Sequence, residues 1–133
     1  MGAGMVCGAE AGTIAGMDIL LVLTTLPDRA QAETLAAQLV DAGHAACATV
    51  LPGARSIYRW QGAVESADET LLLIKTAATA YPALEAAICA AHPYEVPEVI
   101  ALPVSQGLPA YLAWVGAESR AAGSDAASPC ARP

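Results

Sequence analysis

The chain has 133 residues, of which 56% are hydrophobic and only 14% charged, and its formal net charge is −7. This length suffices for one domain with a buried core and is short for two. Six lysines and arginines without a basic cluster argue against a nucleic-acid backbone or an anionic lipid surface as partner. No run approaches the roughly 18 apolar residues of a membrane-spanning helix, so we expect no membrane span.

The amino-terminal residues and the cysteines indicate a cytoplasmic protein. The first residues lack the positive charges of a secretory signal, and Asp18 interrupts the apolar run that follows. The four cysteines show neither the paired short spacing of a zinc finger nor a compact disulfide framework. Residues 1–16 and 117–133 are rich in small residues without periodicity. We expect both segments to be flexible extensions around a single domain at 17–116.

The predicted elements begin with a strand and a helix. Residues 19–25 are a run of leucine and β-branched side chains, which is typical of a buried strand. A threonine just before Pro27 favours a helix start there. Apolar residues such as Leu35 and Leu39 then recur at helical spacing. Gly43 stands where a glycine commonly ends a helix.

Two strands joined by a tight turn are predicted next. Residues 44–51 and 56–60 have extended patterns and are separated by Pro52-Gly53. Gln61-Gly62 predicts a tight turn, after which the chain returns along an apolar strand at 70–76.

The last part of the domain predicts a helix, a strand and a short helix. Tyr81, Leu84 and Ile88 share one face of the second helix. Residues 96–104 then read as a strand, and 108–115 as a final short helix.

This order of elements is the split βαβ repeat of a ferredoxin-like α+β sandwich with an antiparallel sheet and an extra C-terminal helix. Two helices would cover one face of that sheet. The central strands lack the alternation of apolar and charged residues that a solvated second face requires. We therefore expect the second face to be covered by other copies of the same chain.

Polar chemistry is concentrated in His92-Pro93-Tyr94-Glu95-Val96-Pro97-Glu98, directly after the second helix. Proline biases the preceding His92 away from helical dihedrals and so orients its imidazole at the helix exit. A neutral imidazole is a good ligand for copper or zinc, and copies of His92 or the carboxylates of Glu95 or Glu98 would complete a metal site. Alternatively, His92 interacts only with the last carbonyl groups of the helix.

Three further side chains are candidates for a subunit interface or cleft. Tyr58 and Trp60 alternate on a hairpin that is too short to bury large rings by itself, so they cover their own sheet or contact a second subunit. Lys75 ends an apolar run, where its ammonium either reaches an anionic ligand or a carboxylate, or extends into solvent. Tyr94 and Glu98 join this set from the 92–98 segment.

Seven segments together resemble the divalent-cation tolerance protein CutA family, in its order and spacing over about residues 17–116. They are Thr24-Thr25-Leu26-Pro27-Asp28, Ala45-Ala46-Cys47-Ala48-Thr49, Pro52-Gly53, Ser56-Ile57-Tyr58-Arg59-Trp60-Gln61-Gly62, Leu72-Leu73-Ile74-Lys75-Thr76, His92-Pro93-Tyr94-Glu95-Val96-Pro97-Glu98 and Tyr111-Leu112-Ala113-Trp114.

The resemblance implies a ferredoxin-like fold similar to that of PII signalling proteins, assembled as a homotrimer with the sheets packed inside. It also implies tolerance of copper and other divalent metals, with no organic cofactor and no assigned reaction. Members discussed as copper binders can carry cysteine at the position of Thr24 and a second histidine at the position of Ala91. This chain therefore lacks two of the best copper ligands.

Two other functions follow from the same residues. One is a PII-like signalling or scaffold module that binds a small molecule or a partner protein at clefts between subunits. The other is a small enzyme, since ferredoxin-like folds include acylphosphatases. The loop after the first strand has no glycine-rich phosphate cradle, and no catalytic triad can be argued from spacing. We therefore expect a protein that is not an enzyme.

Overall fold

The computed structural model describes residues 18–120 and contains the predicted order of elements, followed by the extra helix. The elements are β1 (Ile19–Leu26), α1 (Arg29–Asp41), β2 (Cys47–Trp60), β3 (Ala63–Ala77), α2 (Tyr81–Ala91), β4 (Val99–Pro103) and α3 (Pro109–Glu118), with a one-turn 3₁₀ helix (Ala78–Ala80) before α2. The four strands form one antiparallel sheet in the order β2-β3-β1-β4. The predicted ferredoxin-like α+β fold is confirmed.

A side-chain hydrogen bond at the beginning of α1 and a glycine after its end determine where this helix begins and ends. Asp28, rather than one of the threonines, is the N-cap, because its carboxylate accepts a hydrogen bond from the Gln31 backbone N–H at 2.9 Å. The predicted start at a threonine was therefore wrong by a few residues. The predicted end is confirmed, since Gly43 adopts a left-handed φ of +82° just after the C-cap Ala42.

The strands after α1 are longer and less interrupted than the sequence indicated. Pro52-Gly53 does not end a strand; it forms an irregularity between Leu51 and Ala54 within a continuous β2. The predicted turn at Gln61-Gly62 is confirmed by the positive φ of both residues, +51° and +83°. β4 begins only at Val99, because the prolines and polar residues before it form an irregular segment.

The core lies between α1, α2 and one face of the sheet, here called the inner face. Val22 and Leu26 of β1 and Leu72 and Ile74 of β3 lie on this face and are fully buried. They pack against buried side chains of both helices, which are Ala32, Leu35, Ala36, Leu39, Leu84 and Ile88. Burial at every second strand residue is the pattern of a pleated sheet with helices on one side.

The opposite, outer face of the sheet is apolar and largely uncovered in the single chain. Leu21, Leu23, Leu71 and Leu73 on the two central strands are only half-buried. Towards the edges, Leu51, Ile100 and Leu102 are 44%, 49% and 44% exposed. Strand register joins these side chains into one surface, with Leu23 opposite both Leu73 and Ile100.

Helix α3 covers only one end of the outer face. Its Leu112 and Val115 pack against Ile19 of β1 and Ala77 of β3 in a second, smaller cluster. The chain after this helix is held in place, because the Arg120 backbone N–H donates to the Gly43 carbonyl at 2.8 Å.

No described helix is long and apolar enough to cross a membrane. The predicted flexible extensions lie outside the described residues, except 117–120.

Two buried threonines on the inner face allow a matched test of core polarity. The Thr24 hydroxyl is completely buried without a hydrogen-bond partner, whereas the equally buried Thr76 hydroxyl donates to the His44 carbonyl at 2.7 Å. Because an unpaired buried hydroxyl is unfavourable, Thr24→Val is expected to raise the free energy of unfolding by about 1 kcal/mol. Thr76→Val is expected to lower it by about 1–2 kcal/mol, since a carbonyl loses its donor. Chemical denaturation measures both, and equal effects of the two substitutions would contradict the assignment.

Candidate functional site around His92

His92 lies at the exit of α2, where the sequence placed it. It is the C-cap of α2, with extended dihedrals of φ −80° and ψ 139°, as expected for a residue before proline. Its side chain is 9% exposed and points back towards the end of β1. A buried imidazole at this position must find partners for both ring nitrogens.

The two partners of His92 define its protonation state. The Tyr94 backbone N–H donates to Nδ1 at 3.1 Å, so Nδ1 is the acceptor and carries no proton. Nε2 lies 2.7 Å from the Thr25 backbone carbonyl, which can only accept. The imidazole is therefore neutral, with its proton on Nε2, and it ties the segment after α2 to the end of β1.

Tyr94 extends this connection to the β2–β3 hairpin. Its ring packs against the His92 imidazole with centroids 4.8 Å apart, and its hydroxyl donates to Glu69 Oε2 at 2.9 Å. The other oxygen of Glu69 accepts a 2.6 Å hydrogen bond from Ser56 on β2. Partial burial and then the Glu69 carboxylate raise the pKa of Tyr94 to about 12, so its phenol remains a donor across the ordinary pH range.

The structure brings only some of the predicted site residues together. Tyr58 lies close enough to Tyr94 to contribute to its raised pKa, and it is 42% exposed on the hairpin. Trp60 is also exposed, nearer the hairpin tip, while Glu98 is exposed just before β4. Lys75 lies elsewhere on the outer face, where its ammonium donates to Thr49 Oγ1 at 2.9 Å and to the Leu73 carbonyl at 3.4 Å.

Three members of the His92 network were missed from the sequence. Thr25 contributes through its backbone carbonyl, which has no signature in the side-chain pattern. Ser56 and Glu69 lie on different strands from each other and far from Tyr94 in the chain. Glu69 follows Glu65 and Asp68 closely in the chain, and the sequence contains no signal that distinguishes it from these two carboxylates.

Residues 18–120 contain no cluster of side chains that could hold a metal ion by itself. No group of three or more histidine, cysteine, aspartate or glutamate side chains converges there. His92 itself has both nitrogens in hydrogen bonds. The sulfur of Cys47 is a soft donor, but this free, half-buried thiol lies on β2, opposite Lys75 and distant in register from the His92 network. Within one described chain, the residues do not form a complete transition-metal site.

The CutA1 divalent ion tolerance protein family matches residues 20–118 of the chain, the whole folded region just described. The chain belongs to this family. Its members are named for tolerance of divalent ions and not for a catalysed reaction, and this chain carries the same general function.

Individual CutA proteins resemble the chain over most of their length. It is 47% identical over 95 residues to the divalent-cation tolerance protein CutA of Thermus thermophilus, a match that covers 71% of this chain and 92% of that protein. The crystal structure of CutA from Xylella fastidiosa has 48% identity and a TM-score of 0.75, and the match covers 77% of this chain and 99% of that one.

Family members do not all share one described location. A solved structure from Archaeoglobus fulgidus, 29% identical with a TM-score of 0.70 and covering 73% of this chain and 94% of that one, is described as a periplasmic divalent cation tolerance protein CutA. The cytoplasmic location expected here from the sequence stays a prediction.

Proposed function

We propose that this protein is a homotrimeric, non-enzymatic CutA protein that acts by binding copper or another divalent metal ion. Membership of the CutA1 family supports the general role in divalent-cation tolerance. The observation that carries the proposal of assembly is the apolar outer face. Seven leucine and isoleucine side chains there are half-buried or exposed in the single chain.

Self-association removes this surface from water. Exposed apolar patches of this kind mark contact surfaces, and α3 leaves most of the outer face open. Closed symmetric assemblies of one chain are the usual solution for soluble proteins. Tyr58 and Trp60 on the projecting hairpin add aromatic side chains, which concentrate binding energy at subunit contacts.

The geometry of His92 supports a ligand role. A metal-ligating histidine usually donates its other ring N–H to a carbonyl or carboxylate, and His92 Nε2–H has such a partner in the Thr25 carbonyl. Nδ1 would then be the ligating nitrogen, and a metal ion there would have to replace the hydrogen bond that Nδ1 accepts from the Tyr94 backbone N–H. The remaining ligands would be exposed carboxylates, Glu95 or Glu98, or residues of other copies in the trimer.

A metal titration of the purified oligomer tests the ligand role. His92→Ala is expected to weaken Cu²⁺ or Zn²⁺ binding by about 100-fold or more, since losing even an outer partner of a ligand costs about 10- to 100-fold. His44→Ala is the matched control, because the hydrogen bonds found for His44 are made by its backbone, whose N–H donates to the Leu39 carbonyl and whose carbonyl accepts from Thr76. Calorimetry with elemental analysis measures both variants. Equal affinity of the His92→Ala and His44→Ala proteins would show that His92 is not a ligand.

A PII-like small-molecule module is the second candidate, and Lys75 favours it. Its ammonium lies on the outer face, and among residues 18–120 the ion pairs found are Arg29–Glu33 and Arg55–Asp68, neither of which includes it. An ammonium whose hydrogen-bond partners are an uncharged hydroxyl and a carbonyl keeps its charge available to attract an anionic group. A thermal-shift screen with anionic metabolites is expected to raise the melting temperature of wild type but not of Lys75→Met. No shift with any anion would remove this candidate.

A further inference from the structure

Lys75 carries a positive charge that is not compensated within the described chain. It alternates along β3 with Leu71 and Leu73 and so lies on the outer face. Its ammonium has three protons, of which one reaches the Thr49 hydroxyl at 2.9 Å and another the Leu73 carbonyl at 3.4 Å. Neither acceptor is charged, and neither ion pair found in residues 18–120 includes this lysine.

No other lysine or arginine of the described residues shares this face. Arg29 lies on α1, and Arg120 lies beside the glycine that follows α1. The two remaining arginines, Arg55 and Arg59, pair in register with β3 residues of the opposite side. Within the described part of the chain, the outer face therefore has a single cationic side chain.

Covering the outer face makes this charge costly. The proposed assembly takes the face out of water, and a covered ammonium without an anionic partner is strongly unfavourable. A copy that packs here is therefore expected to bring a carboxylate to Lys75.

Glu98 is the carboxylate best placed for this role. Ile100 lies on the outer face, opposite Leu23 in register, and strand alternation places Glu98 on the same side just before β4. Glu98 is exposed, and no hydrogen bond or ion pair is found for it within residues 18–120. Glu69, which also lies on this side, is already held by two hydroxyl groups, and Glu65 lies on the projecting hairpin beyond the end of β1.

Lys75 and Glu98 cannot meet within one chain. Lys75 is opposite Leu21 of β1, and continuation of the β4 register places Glu98 level with the β1 residue four positions further on. These four positions span about 13 Å, and β4 lies about 10 Å from β3 across β1. The Lys75 ammonium also turns towards Thr49 of β2, at the edge of the sheet opposite β4.

We propose that Lys75 of each copy pairs with Glu98 of the next copy, so that a neighbouring subunit completes the charge on every outer face. This inference rests on the proposed homotrimer. Because the lysine lies towards β2 and the glutamate towards β4, each copy gives one carboxylate and receives one. Head-to-tail contacts of this kind generate a ring when the rotation closes, as it does in a homotrimer.

An exchange of the two charges tests the pair. Lys75→Glu and Glu98→Lys are each expected to weaken association by about 100-fold or more, because each brings two like charges together in the contact. Combining them restores opposite charges and is expected to return association to within about tenfold of wild type. Sedimentation over a range of concentrations measures association, and far-UV circular dichroism checks folding.

The matched control combines Lys75→Glu with Glu95→Lys. Glu95 is an exposed carboxylate of the same segment as Glu98, so this variant has the same net charge as the exchanged pair. It is expected to remain dissociated. Equal recovery by the Glu95 and Glu98 exchanges would show an effect of net charge alone and would overturn the inference.

Neutral substitutions keep the test open if a charge-reversed chain fails to fold. Lys75→Met and Glu98→Gln are each expected to weaken association by about tenfold or more, since each leaves one charge covered without a partner. The double variant removes both charges and is expected to lose less than the sum of the two single losses. Additive losses would contradict the pairing.

The outcomes separate this inference from the proposed assembly. If wild type is a single chain at micromolar concentration, both are overturned. If wild type assembles but the exchange recovers nothing, the assembly stands and the inference is overturned. The inference is also overturned if Lys75→Met assembles as wild type does but loses a thermal shift produced by inorganic phosphate, because the partner of Lys75 is then a small anion.

Discussion

Replacing Leu73 by glutamate is expected to give single folded chains in place of the proposed homotrimer. Leu73 lies near the middle of the outer face, with Leu23 opposite it on β1 and Thr49 opposite it on β2. A carboxylate there remains hydrated in the isolated chain, where the position is half-buried, but loses its water when another copy covers the face. Association is expected to weaken by about 100-fold or more, because even beside the Lys75 ammonium the loss of hydration of a buried carboxylate costs several kcal/mol.

The control for this substitution is Val40→Glu. Val40 is 40% exposed on α1, which covers the inner face, so the same added charge should leave the mass of the oligomer unchanged. Light scattering at micromolar concentration measures the mass of both variants, and far-UV circular dichroism checks that each is folded. A Leu73→Glu protein with the wild-type mass would show that the outer face is not the contact surface.

The two faces of the sheet explain how much of the fold could be predicted. Core positions such as Leu35, Leu39, Leu84 and Ile88 were predictable because helical spacing alone places them on one side. The apolar runs on β1 and β3 predicted strands that need cover on both sides. They could not show which side the helices would take, since that depends on pairing between strands far apart in the chain.

The errors at element boundaries have identifiable causes. Pro52-Gly53 suggested a break, but a proline is tolerated in β2 because this strand lies at the edge of the sheet. Asp28 replaced the expected threonine as N-cap because its carboxylate reaches the Gln31 amide, while the threonines remain in β1. In both cases, tertiary pairing decided between two locally acceptable conformations.

The site was predictable only at its most distinctive residues. His92 and Tyr94 are uncommon side chains beside prolines, so the sequence marked them. Their partners could not be read in the same way. One is a backbone carbonyl, and Glu69 is separated from Tyr94 by 25 residues. The tautomer of His92, on which the metal argument depends, follows only from those partners.

Leu72→Ala provides the complementary test, because Leu72 is the neighbour of Leu73 and points to the opposite face. It is fully buried on the inner face among β1, α1 and α2. Its truncation leaves a cavity and is expected to lower the free energy of unfolding by about 2–5 kcal/mol. The measurement is best made by urea denaturation in the Leu73→Glu background, where unfolding of a single chain does not include dissociation.

The matched comparison is Leu73→Ala in the otherwise wild-type chain. Leu73 is half-buried in the isolated chain, so its truncation should change the stability of a dissociated subunit less than Leu72→Ala does. Its main effect should instead be a higher concentration at which the oligomer forms, measured by sedimentation. If Leu72→Ala shifted only the association and Leu73→Ala only the unfolding of the single chain, the inner and outer faces would have been assigned the wrong way round.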